Sequence, residues 1–179
     1  MTSARDEHTA DLTTLSVPDL IEVFKTLEAP TISEMDGEFD ARLLRQPDVL
    51  NAIAGLVTVH NPIFGWRAKA FRPVDETAGR GYNAFRAVLG RRSVQGQPML
   101  TKIASSYLDG RPVYQLDYRP FDTLNGRVNM IDEIRRVRPG EYLGIGTWGF
   151  TDKQRRVPLP FLLSGPSRPY AGDIGTPKY

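Results

Sequence analysis

The sequence predicts a mainly β protein, an antiparallel up-and-down β-barrel of about eight strands with one N-terminal helix. Three observations carry this expectation. Turn signals at Asp109-Gly110, Asn125-Gly126 and Pro139-Gly140 recur about 15 residues apart. The first two favour two-residue hairpins, because a type I′ turn needs positive φ at both central positions. Long strand-like runs lie around them: Met99–Leu108, Arg111–Arg119, Arg127–Val137 and Glu141–Phe150. Their spacing exceeds the roughly 8–12 residues common between the turns of a sandwich, which favours a closed barrel.

The elements follow in order. Residues 1–15 are polar and read as a disordered tail. Ser16 suits a helix N-cap, Pro18 the first turn and Asp19 the positive end of the dipole. Leu20, Ile21, Phe24 and Leu27 then form one apolar stripe, and Pro30 stops the helix. Glu34–Arg45 reads as a first strand, with Met35, Gly37, Phe39 and Ala41 on one face. Gln46–Leu56 fits either a short helix or a loop. Ile63–Arg72 alternates, with Trp66, Ala68 and Ala70 on one face against Arg67, Lys69 and Phe71 on the other. Tyr82–Leu89 precedes the four-strand meander. Pro158–Leu163 gives a last strand whose prolines suit an edge or a barrel seam. Ser164–Tyr179, rich in proline and glycine, reads as an extended tail.

The 179 residues are 40% apolar and 25% charged, which fits one soluble domain over residues 16–163. No apolar run reaches the roughly 18–20 residues of a membrane span, and the N-terminus has no signal-peptide pattern. The chain has no cysteine, which excludes disulfides and thiolate chemistry and fits a cytoplasmic setting. Of two histidines, His8 falls in the tail and His60 stands alone in Val59-His60-Asn61-Pro62, so no metal site is expected. The net charge of +2 comes with short basic clusters interrupted by acids, which reads as solvated strand ends rather than a nucleic-acid surface. No phosphate loop or dinucleotide fingerprint is present, and no cofactor is expected. A homodimer is left open.

Hairpin counting suggests what lines the barrel. A two-residue Asp109-Gly110 turn sets Ser105 opposite Tyr114, Ile103 opposite Leu116 and Thr101 opposite Tyr118. Ile103, Ser105, Tyr107, Tyr114, Leu116 and Tyr118 then point inward. Lys102 and Asp117 oppose each other on the solvated face. Continuing across Asn125-Gly126 brings Glu133 beside Tyr118 and Arg135 beside Leu116, with Tyr142, Gly144, Gly146 and Trp148 on the next strand. Pro120 can mark a bulge, and a slip of one residue exchanges the faces. Val128, Met130, Asp132, Ile134 and Arg136 then point inward. Either register puts one acid and one arginine on the inner face, either as a satisfied ion pair or as a site for a polar head group.

Three segments carry a family resemblance. Gly37-Glu38-Phe39-Asp40-Ala41, Gly65-Trp66-Arg67-Ala68-Lys69-Ala70-Phe71 and Ile131-Asp132-Glu133-Ile134-Arg135-Arg136-Val137, with Leu143-Gly144 beyond, resemble the GXWXG-type lipocalin-like proteins in the same order. Phe39 stands where that motif has Trp, and Ala41 and Ala68 where it has Gly. The resemblance implies a lipocalin-like barrel and points to Trp66, Lys69, Asp132 and Arg136 as positions to test. It implies no reaction or ligand.

A structural or interaction module would use the N-terminal helix and the proline-rich tail as contact elements, and two cavity-based functions also fit these features. One is binding of a small, mostly apolar molecule with a polar or anionic group, contacted by Trp66, Lys69, Tyr107, Tyr114, Tyr118, Tyr142 and Trp148. The other is a cofactor-independent cyclase, isomerase or lyase in the same cavity. There Glu133 or Asp132 would move a proton and Arg135 or Arg136 would stabilise developing charge.

Overall fold

A computed structural model describes residues 11–47, 65–86 and 93–179. These form helix α1 (Val17–Thr26) and a closed antiparallel barrel of eight strands in sequence order. The strands are β1 (Gly37–Leu43), β2 (Trp66–Pro73), β3 (Ala78–Arg86), β4 (Ser93–Ser105), β5 (Pro112–Asp117), β6 (Ile131–Arg138), β7 (Glu141–Thr147) and β8 (Leu159–Arg168). Short helices α2 (Leu124–Arg127) and α3 (Asp152–Arg155) interrupt the β5–β6 and β7–β8 connections. His60 and most of Gln46–Leu56 lie outside the described residues, as do positions 1–10 of the expected tail. Within 11–15, Leu12 is buried against α1.

Ser16 caps α1 by accepting from the Asp19 amide. Leu20 and Phe24 on its apolar face are fully buried against Val113, Leu143 and Ile145 on the outside of β5 and β7. The helix therefore covers a wall. The segment after it closes one end. Glu28 pairs with Arg136, and Ile32 and Met35 enter the interior core beside Phe39 and Tyr142. We call this the floor. The β2–β3, β4–β5 and β6–β7 turns lie at the same end, and the longer connections lie at the other, the head end.

Two of the three hairpin signals fold differently from expectation. At Asp109-Gly110 the loop spans Tyr107–Gly110, closed by the Ser106 amide donating to the Arg111 carbonyl. Asp109 is occupied there by Arg135 and the Arg111 amide, and only Gly110 takes positive φ, at 74°. The longer loop moves the register by two, so Ile103 faces Tyr114, Thr101 faces Leu116 and Leu100 faces Asp117. A shift of two preserves the faces. Ile103, 41% exposed, and Ser105, both expected inside, are nonetheless not buried, because they end the hairpin next to the loop, where Ser105 pairs with Pro112. Asn125-Gly126 lies inside α2, where Thr123 caps the Gly126 amide. A Cβ on Gly126 would fall 2.1 Å from the Phe121 carbonyl oxygen, so close backbone packing, not a hairpin turn, requires glycine there. Pro139-Gly140 does make the tight turn between Arg138 and Glu141.

The helical detour selects between the two registers. Leu116 pairs with Asp132 and Tyr114 with Ile134. Asp132, Ile134 and Arg136 therefore share the inward face with Tyr142, Gly144 and Gly146. Glu133 and Arg135 face outward.

The C-terminal segment is extended, as expected, but it is held on the barrel. The last strand runs to Arg168 rather than Leu163, because β8 pairs with both β7 and β1 to close the ring. Beyond it, Tyr170 stacks on Tyr82 at 5.0 Å and Asp173 binds Arg72. This covers the small outer residues Ala68, Ala70 and Ala84.

Candidate functional site

Lys69 on β2 and Asp132 on β6 meet inside the barrel at 2.7 Å, with side chains 4% and 2% exposed. The Lys69 ammonium also donates to Tyr118 Oη at 2.6 Å and Asn83 Oδ1 at 2.9 Å. Its three N–H bonds are thereby all used within the protein. Tyr118 Oη in turn donates to Asp132 Oδ2 at 2.9 Å. The ammonium lies 5.1–5.3 Å from the ring centroids of Trp66, Tyr118 and Phe161, which stabilise a desolvated cation through their electron-rich faces.

Local irregularities build this site. Strict alternation would put Trp66 and Lys69 on opposite faces of β2. A register shift between Trp66 and Ala68 lets both reach the interior, while Ala68 and Ala70 face outward. A second shift, between Gly81 and Asn83, lies beside Gln97, whose φ is 50°. On β7, a Cβ at Gly146 would come 2.9 Å from Asp132 Oδ1, and one at Gly144 within 2.1–2.7 Å of the Phe161 ring. The two glycines make room for the carboxylate and the ring.

Four buried polar atoms near this cluster or its end of the barrel have no hydrogen-bond partner among the described residues: Asp132 Oδ1, Trp66 Nε1, Trp148 Nε1 and Arg67 Nε, the last on a guanidinium that pairs with Glu38 through its other nitrogen. Trp148 follows Gly146 by two positions, just past the end of β7. Buried polar atoms are normally satisfied, so Asp132 Oδ1 and the two indole N–H groups stand out as open bonding positions.

Burial pushes the Lys69 pKa down, against the pull of Asp132. Burial, then the Asp132 charge, pushes the Tyr118 phenol well up. A lysine displaced downward beside a hydroxyl and a carboxylate forms a network through which a proton can pass.

Toward the floor the interior is packed with rings. Phe39, Phe71, Tyr114 and Tyr142 are at most 2% exposed, with the Tyr142–Phe39, Phe39–Phe71 and Phe71–Tyr114 centroids 5.5–5.6 Å apart. Tyr114 donates to Thr101, and burial raises its pKa. Tyr142 donates to Glu34, which also binds Arg136 at 2.9 Å. Arg136 thus braces the floor, apart from the Lys69 cluster.

Glu133, Arg135 and Tyr107 do not share the interior. Glu133 accepts from Ser106 Oγ and the Tyr107 amide and so fixes the β4–β5 loop from outside. Its pKa is raised by burial. Arg135 forms a two-pronged bond to Asp109 at 2.7 Å, donates to the Phe24 and Pro112 carbonyls and lies under the Phe24 ring. It anchors α1 to the wall. Tyr107 is 48% exposed in the loop. Among the described residues, no group of three or more His, Asp or Glu gathers as metal ligands do. Asn83 and Phe161 escaped the sequence reading. An uncharged amide between Tyr82 and Ala84 was the one available sign of Asn83.

No family model matches the chain, and no curated protein matches it. A crystal structure of a protein from Thermomonospora curvata is similar, with a TM-score of 0.51 and 18% sequence identity over 84% of this chain and 87% of that one. At that identity the likeness is one of fold. The chain is a lipocalin-like barrel, with an interior lined by aromatic and polar side chains. No described helix is long and apolar enough to cross a membrane.

Proposed function

We propose that the protein binds a small, mostly apolar molecule through a polar group, in the head half of the barrel. The observation that carries this reading is the set of unpartnered buried atoms, Asp132 Oδ1 and Trp66 Nε1 at a self-satisfied Lys69 cluster and Trp148 Nε1 just past the end of β7. A ligand that supplies their partners removes a cost of roughly 1–3 kcal/mol for each unsatisfied group. The packed rings below limit its size, and Trp66 and Phe161 offer it apolar walls. The resemblance to GXWXG-type lipocalin-like proteins supports the same choice of Trp66, Lys69 and Asp132. Native mass spectrometry of freshly purified protein tests the reading. A retained molecule that is lost in Asp132→Asn or Gly146→Ala is the expected result. Retention unchanged in both variants would place binding elsewhere.

A second reading is a cofactor-independent isomerase, cyclase or lyase acting on the same class of molecule. It draws on Tyr118 Oη, which bridges Lys69 and Asp132. In this reading Asp132 Oδ1 takes the proton from carbon, and the Lys69 charge, no longer neutralised by the carboxylate, stabilises the resulting oxyanion. Deuterium incorporation next to a carbonyl in heavy water, faster than the buffer rate and abolished by Lys69→Met, would favour it over simple binding.

A further inference from the structure

The charge and valence of the site constrain the ligand's head group beyond the reading above, on which this step rests. Inside the head half the described groups that carry charge near neutral pH are Lys69 and Asp132, and each neutralises the other, while the Tyr118 phenol stays neutral. All three ammonium hydrogens are spent on Asp132, Tyr118 and Asn83, so lysine has no bond left for an incoming carboxylate. The unsatisfied acceptor is itself a carboxylate oxygen, Asp132 Oδ1, 1% exposed as a residue and facing the space left by Gly146. An anion brought there would meet like charge in a low-dielectric interior, which is strongly unfavourable. The unsatisfied neutral donors are the indole N–H groups of Trp66 and Trp148, suited to an uncharged oxygen acceptor, while the remaining such donor, Arg67 Nε, belongs to a guanidinium already paired with Glu38.

We infer that the ligand's head group is neutral and pairs a hydroxyl donor, bound by Asp132 Oδ1, with a carbonyl-type acceptor, bound by the indole N–H of Trp66. A hydroxyketone fits this pattern, whereas a fatty or aromatic carboxylate does not. Trp66 lies against Lys69, and Lys69 holds Asp132 at 2.7 Å, so one compact head group can span both contacts.

Three probes of similar size separate the possibilities: 2-hydroxyacetophenone, acetophenone and phenylacetate. Binding is read by calorimetry and by the indole N–H signals of the two tryptophans in nitrogen-15 spectra of the full chain. The hydroxyketone should bind at least about tenfold more tightly than either other probe, since a hydrogen bond to a charged acceptor is made only by it. It should shift the Trp66 indole signal. Asp132→Asn should erase the preference over acetophenone and strengthen phenylacetate, because Lys69 then carries an uncompensated charge. If that variant does not fold, Gly146→Ala serves instead. It crowds Oδ1 without changing any charge, and it should lower hydroxyketone affinity to that of acetophenone. Phenylacetate binding as tightly as the hydroxyketone to the unmodified protein would overturn the neutral-head assignment and leave small-molecule binding standing. Binding of none of the three at millimolar concentration would overturn both.

Discussion

Lys69 and Asp132 stand on β2 and β6, four strands apart in a ring of eight, so their 2.7 Å contact crosses the barrel from wall to wall. The pair is a cross-brace as well as the centre of the candidate site. It separates the packed aromatic floor from the head half. Breaking it should therefore have a structural and a functional consequence, which the first prediction separates.

Lys69→Met removes one partner and leaves the Asp132 carboxylate buried without a counter-charge. Such single removals cost about 3–5 kcal/mol. The double variant Lys69→Met/Asp132→Leu should recover much of that loss, because an apolar pair of similar volume carries no desolvation cost. Urea denaturation of both variants checks the order of stabilities. A double variant no more stable than the single one would show that the brace is worth more than its charges.

Arg135 provides the opposite case, a buried cation placed for structure. Arg135→Met should release α1, seen as faster amide exchange over Val17–Thr26, because the Phe24 carbonyl and Asp109 lose their donor. Probe binding in the head half should change less than about threefold, as the two regions share no partner. A large loss of binding with α1 still protected would assign Arg135 a role in the site.

Asp109 should make folding sensitive to acid. Its pKa falls from 3.8 to about 2, first through the Arg135 hydrogen bonds. A carboxyl lowered in the folded state stabilises fully above its unfolded value and loses that contribution as pH falls through the folded one. The window therefore runs from about pH 4 down to about pH 2, and screening in the loop holds the effect to about 1–2 kcal/mol. Asp109→Asn should flatten this part of the stability profile.

Alkali should act in the other direction. Of seven tyrosines, burial raises the phenols of Tyr82, Tyr114, Tyr118, Tyr142 and Tyr170, with Tyr142 pushed up to about 12. The unfolded chain releases those protons near pH 10 and the folded chain does not, so stability falls as pH rises past 10. Ultraviolet titration near pH 11 should show most phenols still protonated in the native protein. Ionisation of all seven in one step near pH 10, with the fold intact, would contradict the burial.

Gly144→Ala should destabilise by about 1–3 kcal/mol, the usual cost of overpacking, because the new methyl would meet the Phe161 ring. Adding Phe161→Leu should return part of it. Thermal unfolding of the single and double variants gives the answer directly.

Much of the architecture was legible in the chain before folding. Alternation, turn residues and the Ser16-Val17-Pro18-Asp19 start contain the barrel and its helix, because they depend on local backbone preference and on which residues avoid water. Of the expected inward set, Tyr114, Leu116, Tyr118, Tyr142, Gly144 and Gly146 survived even a wrong turn length at Asp109-Gly110, since a shift of two residues keeps the faces, whereas Ile103, Ser105 and Tyr107 end exposed beside or within the loop. Tertiary structure alone decided between Asp132 and Glu133. That choice depended on a four-residue helix at Leu124–Arg127, where capping by Thr123 and close packing of Gly126 overrode a strong local hairpin signal. It also decided that Trp66 and Lys69 share the interior, through an irregular step in β2 that alternation does not contain. The reason is the same in both places. Strand periodicity is a local property, but which face each side chain takes is summed around a closed ring, so a single inserted residue or turn anywhere in it changes what meets inside.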